Sequence, residues 1–190
     1  YAYLFQLKVN FYEITGKINF LNEAKEIAQK TWDLFYDKAN KILQKNLIEK
    51  NDLFVPPSDV NDSNIPNGNS IFLLNCKKLE VITGELKWGE MSKELIKSYH
   101  SFLNLQSTQM VSYIKNLDMC EELKTFTFFG DIKKNIDLHK YVKKNYLKSS
   151  TLIYKEDSKE NYLVVCKNQT CSNKIKTLEE LEAVVKNYAI

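Results

Sequence analysis

The chain has 190 residues, 44% hydrophobic and 12% aromatic, long enough to bury a sizeable core in one domain or in one domain and a small appendage. Its net charge is only +3, and all 27 basic residues are lysine. The missing arginine fork argues against a nucleic-acid reader, and no apolar run reaches the roughly 18 residues of a membrane span.

Residues 1–15 are apolar nearly all round, through Ala2, Leu4, Phe5, Leu7, Val9, Phe11 and Ile14, which predicts a helix buried on most sides. It opens inside a helical pattern with no cap before it, so a cut within a longer protein is expected. Gly16 supplies a left-handed stop. A second helix, about 19–37, is one-sided, with Phe20, Ala24, Ile27, Ala28, Leu34 and Phe35 facing in. A long connection, Lys38 to Asn69, holds two extended candidates, Lys41–Gln44 and Leu53–Val55, then Pro56-Pro57 and Pro66-Asn67-Gly68-Asn69-Ser70. Connections this long are often functional.

The pattern then repeats. Val81-Ile82-Thr83-Gly84 echoes Glu13-Ile14-Thr15-Gly16 at an offset of 68 residues. Ile71, Phe72, Leu73, Leu74, Cys76, Leu79 and Ile82 crowd the helix before Gly84, and Met91, Leu95, Ile96, Tyr99, Phe102 and Leu103 form one stripe after it. A first helix buried all round and a second buried on one side predict two concentric rings, the logic of an α/α toroid. Beyond about residue 106 the character changes. A helix at about 107–117 precedes a β-branched and aromatic strand, Thr125–Phe129, and a helix at about 132–145. Strands at Thr151–Tyr154 and Tyr162–Cys166 follow, and Thr177 with Glu180 forms a capping box for a last helix. The expected organisation is mostly α: hairpins of a partial (α/α)6 toroid over 1–105, and a helix with a small α/β appendage over 106–190.

Three stretches carry a family resemblance: the opening Tyr1-Ala2 through Tyr12-Glu13-Ile14-Thr15-Gly16, the loop Asp59 to Ser70, and the ending Val164-Val165-Cys166-Lys167-Asn168-Gln169-Thr170-Cys171. In order and spacing they resemble the C-terminal part of the thioredoxin-domain-containing family that includes spermatogenesis-associated protein 20. The chain departs from the family pattern at Ser63-Asn64, where the family has Gly-Ala, and at Asn67, where it has Ser. The resemblance implies the last part of an (α/α)6 toroid similar to sugar epimerases and six-hairpin glycosidases. It also implies that the missing N-terminal part of the same protein holds a thioredoxin-like domain.

The Asp59–Ser70 loop is the first candidate site, at the expected mouth of the toroid. Asp59 and Asp62 would be the catalytic acid and base of carbohydrate chemistry. Asn67, Asn69 and Ser70 would hydrogen-bond the hydroxyls of a carbohydrate-like ligand. The competing and favoured reading makes the same residues turn and cap residues. Cys166 and Cys171 are redox candidates, close enough for a disulfide if the chain turns back; two buried small hydrophobes is the favoured alternative. Zinc would need two further ligands, so neither metal nor cofactor is expected. Cys76 reads as core. His100 is expected in packing or on the surface, and His139 on the surface. Tyr3, Phe5, Tyr12, Trp32 and Trp88 could stack on sugars, though most should be core. The expected setting is a reduced cytoplasmic chain, with no nucleic-acid or membrane partner. Self-association through residues 1–15 and 70–83 is expected of a cut ring. The alternative function is a non-catalytic scaffold serving a redox domain.

Overall fold

The computed structural model of the chain describes residues 1–47, 60–146, 150–167 and 170–187. Asp59 and the extended stretch expected at Leu53–Val55 lie outside the described residues. The described chain is mostly helical, with a small sheet. It divides into two compact units, one of Tyr1–Tyr12 and Lys17–Cys120, the other of Glu13–Gly16 and Glu121–Ile190.

The first unit is built from helical hairpins. Helix α1 (Ala2–Thr15) runs antiparallel to α2 (Ile18–Phe35). The pairs that meet show this, since Lys8 Nζ reaches Glu23 Oε2 at 2.5 Å and the Phe11 and Phe20 rings lie 5.2 Å apart. Helix α3 (Gly68–Thr83) pairs likewise with α4 (Leu86–Gln106), where the Ser92 hydroxyl donates to Leu73 O at 2.9 Å. Gly84 ends α3 at φ +75°, its N–H donating to Glu80 O at 2.8 Å. A Cβ at Gly89 of α4 would meet the carboxylate end of the Glu80 side chain of α3.

Burial follows the expected pattern in α3 and α4 and only in part in α2, where Ala24 and Ala28 are buried but Phe20, Ile27, Leu34 and Phe35 are half-buried. Helix α3 is buried almost all round, from Ser70 to Ile82. Helices α2 and α4 bury one face each, through Leu21, Ala24 and Ala28 and through Trp88, Met91, Leu95 and Tyr99. Helix α1 departs from the expectation. Phe5, Val9 and Tyr12 are buried, whereas Leu4, Leu7, Phe11 and Ile14 are 37–45% exposed. All-round apolarity marks surface that needs a cover; Phe11 packs against the Phe20 ring, while Leu4, Leu7 and Ile14 stay more than a third exposed.

Helix α2 ends at Phe35 because the chain turns into a small hairpin, β1 (Tyr36–Asp37) and β2 (Ile42–Leu43). Asp37 organises the turn: Oδ1 accepts Ala39 N at 2.8 Å, and Oδ2 accepts Asn40 Nδ2 at 2.6 Å and Gln44 Nε2 at 2.7 Å. These donors, with Asn40 the largest influence, hold its carboxyl below the ordinary range. Helix α5 (Val111–Glu121) begins four residues later than expected and belongs through Cys120 with the first unit. Its Asn116 amide donates to Ser70 O at 2.9 Å, and Tyr113 packs 5.2 Å from Tyr99. The compact units therefore divide after residue 120, whereas composition suggested 105.

The second unit is a four-stranded sheet in the order β4-β3-β5-β6. Strand β3 (Lys124–Phe129) pairs parallel with β4 (Ser150–Lys155), α6 (Ile136–Tyr146) lying between them in sequence as the crossover. Strands β5 (Tyr162–Lys167) and β6 (Thr170–Cys171) add antiparallel. Alternation puts Phe126, Phe128, Leu163 and Val165 into a core with Leu138 and Val142 of α6 and Leu181 and Val185 of α7 (Leu178–Asn187). Thr177 and Glu180 make the expected capping box, Glu180 N bonding Thr177 Oγ1 and Thr177 N bonding Glu180 Oε2 at 3.2 Å each. Buried Glu13 accepts the Thr151 hydroxyl at 2.6 Å, and its carbonyl accepts Tyr154 OH at 2.6 Å. His139 Nε2 lies 2.7 Å from that phenol, so His139 is a buried core residue, not a surface one. Burial, then the nearby Lys143 charge, lowers its pKa to about 4 and keeps the ring neutral.

Candidate functional site

The loop before α3 is tied down by its own polar side chains. Asp62 Oδ1 accepts Asn67 N at 2.8 Å and the Ser112 hydroxyl, and its Oδ2 accepts Ser112 N at 2.7 Å. Asn67 is the N-cap of α3, its Oδ1 accepting Asn69 N at 2.8 Å and Tyr99 OH at 3.1 Å while its Nδ2 donates to Asn61 O. Asn69 clamps the backbone of Leu43, accepting its N–H at 2.7 Å and donating to its carbonyl at 2.9 Å. The Ser70 hydroxyl donates to Asn67 O at 2.8 Å and lies 2.7 Å from Ser112 Oγ.

The structure thus brings Asp62, Asn67, Asn69 and Ser70 into one network whose bonds close on the fold. A general base must reach the proton it abstracts. Asp62 instead spends both oxygens on α5 and on the cap of α3, which is the capping role weighed against catalysis above. Asp59 lies outside the described residues. Ser112 and Tyr99 complete the network and carried no sequence signal, because a serine and a tyrosine on amphipathic helices are ordinary.

Beside this network lies an open cavity of about 250 Å³ within the first unit. Tyr1, Tyr3 of α1, Phe35 of α2, Gln44 and Lys45 after β2, and Asn67 to Asn69 at the start of α3 are among its walls, and among the described residues none that lines it is acidic. The Tyr1 and Phe35 rings pack 5.2 Å apart. Tyr3 OH donates to Pro66 O at 2.7 Å, and burial, followed by the Asp62 charge, raises its pKa. Gln44 is oriented by its donor end on Asp37, and among the described residues its buried Oε1 has no hydrogen-bond partner. Gln44 was missed in the sequence because its relation to α3 depends on Asn69 gripping the adjacent Leu43.

Of the aromatics considered for sugar stacking, Phe5, Tyr12 and Trp88 are core. Tyr3 alone lines this cavity. Trp32 stacks on Tyr36 at 3.8 Å, and Tyr36 OH donates to Glu94 at 2.9 Å. His100 is exposed.

Cys166 and Cys171 sit directly opposite each other on β5 and β6 and form a disulfide, with Cα atoms 4.1 Å apart. They are not buried hydrophobes: Cys171 is exposed and Cys166 half-buried, because β6 is the edge strand. Cys76 and Cys120 are buried and form no disulfide, and burial pushes the Cys76 thiol well up. Among the described residues no three His, Cys, Asp or Glu side chains gather as metal ligands, and no helix is long and apolar enough to cross a membrane. No protein-family model matches the chain, and no curated protein does.

Proposed function

We propose that the helical unit is part of an (α/α)6 toroid of the thioredoxin-domain-containing family that includes spermatogenesis-associated protein 20, and that its cavity binds a small carbohydrate-like molecule. The two Thr-Gly hairpins, α1–α2 and α3–α4, support the architecture. The observation that carries the binding reading is the cavity itself. Aromatic rings wall it, and side-chain amides and one lysine, Lys45, rather than carboxylates line it. That lining suits a small polyhydroxylated molecule with apolar faces. At about 250 Å³ it falls below the ~300–1,000 Å³ of drug-sized sites, which favours a monosaccharide over an oligosaccharide. The proposal is binding without turnover by this chain, since Asp62 is engaged in holding the loop.

Titration of the 190-residue chain with simple monosaccharides, followed by ligand-observed NMR, tests it. Saturable binding is expected, and Ala2→Phe, which fills the cavity from α1, is expected to weaken it at least about tenfold. Absence of saturable binding, or equal binding by the filled variant, overturns the reading.

The second reading, a non-catalytic module serving a redox domain, is favoured by the exposed apolar stripe Leu4, Leu7 and Phe11 of α1. An interaction surface needs such a patch, and a closed ligand-binding unit does not.

A further inference from the structure

We propose that Cys166 and Cys171 form a thiol–disulfide exchange site whose substrate is a dithiol. Three observations point to it, and none depends on the cavity or its ligand.

The first is placement. The bond joins directly opposed positions on β5 and β6, and β6 is the outermost strand, only two residues long. Leu163 and Val165 point into the core, so by strand alternation Cys166 and its partner lie on the other face of the sheet. The second is access. Cys171 is exposed, so an incoming thiolate can reach its sulfur, while Cys166 is half-buried and is the natural leaving group.

The third is that the fold downstream has its own anchors. Ile175 exchanges two backbone hydrogen bonds with Leu163, at 2.8 and 2.9 Å, and is buried in the core. Ser172 N donates to Val165 O at 2.8 Å, and Val165 N donates to Ser172 Oγ at 3.1 Å. Opening the disulfide releases none of these. A bridge across one short hairpin closes a loop of few residues, so it constrains the unfolded chain less than a long-range bridge does.

One thiolate of the dithiol attacks Cys171 Sγ, the Sγ–Sγ bond breaks, and Cys166 leaves with the electron pair as a thiolate. The second thiolate then attacks the sulfur of its own molecule in the mixed disulfide, and Cys171 leaves as a thiolate. The dithiol is oxidised to a disulfide and the cysteine pair is reduced. The two protons lost by the dithiol equal the two taken up by Cys166 and Cys171. The reverse sequence reoxidises the pair.

The experiment uses the whole chain, native, with dithiothreitol as the dithiol and glutathione as a monothiol comparison. Samples are alkylated and the cysteines assigned by peptide mass spectrometry. Cys166 and Cys171 are expected to go from unlabelled to fully labelled with millimolar dithiothreitol and to return on reoxidation, with an unchanged far-UV circular dichroism spectrum. Single-cysteine variants separate the roles: Cys171 in Cys166→Ser is expected to form a mixed disulfide with oxidised glutathione at least about tenfold faster than Cys166 does in Cys171→Ser. A bond that resists dithiothreitol until the chain is denatured overturns the proposal, as does loss of the second unit's fold on reduction. Equal rates in the two variants overturn the assignment of Cys171 as the attacked sulfur.

Discussion

Asp62 shows how one side chain's role depends on what meets it. Its type and loop position allow either an acid–base residue or a cap, and its three donors, Asn67 N, Ser112 N and Ser112 Oγ, decide for the cap. Asp62→Ala is therefore expected to lower the unfolding free energy of the first unit by about 1–3 kcal/mol, since three part-buried donors lose their acceptor. Asp62→Asn should lose less, keeping one carbonyl oxygen. Urea denaturation followed by the fluorescence of Trp32 and Trp88 measures both; a neutral Asp62→Ala would contradict the capping role. His139 makes a pH-dependent case at the same scale. Its pKa is about 4 in the fold, against about 6.5 in an unfolded chain. The unfolded state then binds more protons between those values. The stabilisation is complete above about pH 6.5 and is lost as pH falls toward 4. The thermal midpoint of the second unit should drop across that window, and His139→Gln should flatten the drop.

At the scale of elements, the two Thr-Gly phrases were the clearest signal, because a glycine at positive φ is a local requirement that the sequence writes directly. Gly16 and Gly84 stand at φ +71° and +75°. A Cβ at Gly84 meets nothing within 4 Å, so Gly84→Ala should cost only the left-handed backbone, about 1–2 kcal/mol. A Cβ at Gly16 meets the Tyr154 ring at 3.3 Å, so Gly16→Ala should cost more. Chemical denaturation of the two variants gives the order, and a larger loss for Gly84→Ala would refute it. The β1–β2 hairpin was half legible. The extended stretch Lys41–Gln44 was readable, but α2 was carried two residues too far because Tyr36 continues its apolar face. The capping box at Thr177 and Glu180 was fully readable, since all its partners lie within four residues.

At the scale of the whole molecule, the chain divides into two compact units after residue 120. Helix α5 follows the compositional change yet bonds to Ser70 and Asp62. Of the two segments expected to drive self-association, residues 70–83 are buried, whereas α1 keeps its exposed stripe. Self-association is therefore expected through α1 alone. Light scattering should show mass rising with concentration, and Leu7→Lys with Phe11→Lys should hold the chain monomeric. A wild-type chain that stays monomeric at high concentration would remove α1 as an interaction surface.

By itself the sequence determined the helices, the glycine stops, the strand run of the second unit and the capping box of α7, because each rests on contacts within one or two turns of chain. Only the tertiary structure decided which apolar faces are covered, that Asp62 and the three residues of the α3 cap serve the fold, that Gln44 joins the cavity, that His139 is buried, and that Cys166 and Cys171 are bonded at an exposed edge. Those outcomes depend on partners up to 50 positions away, as between Asp62 and Ser112. Residue type and periodicity carry no record of which distant group arrives.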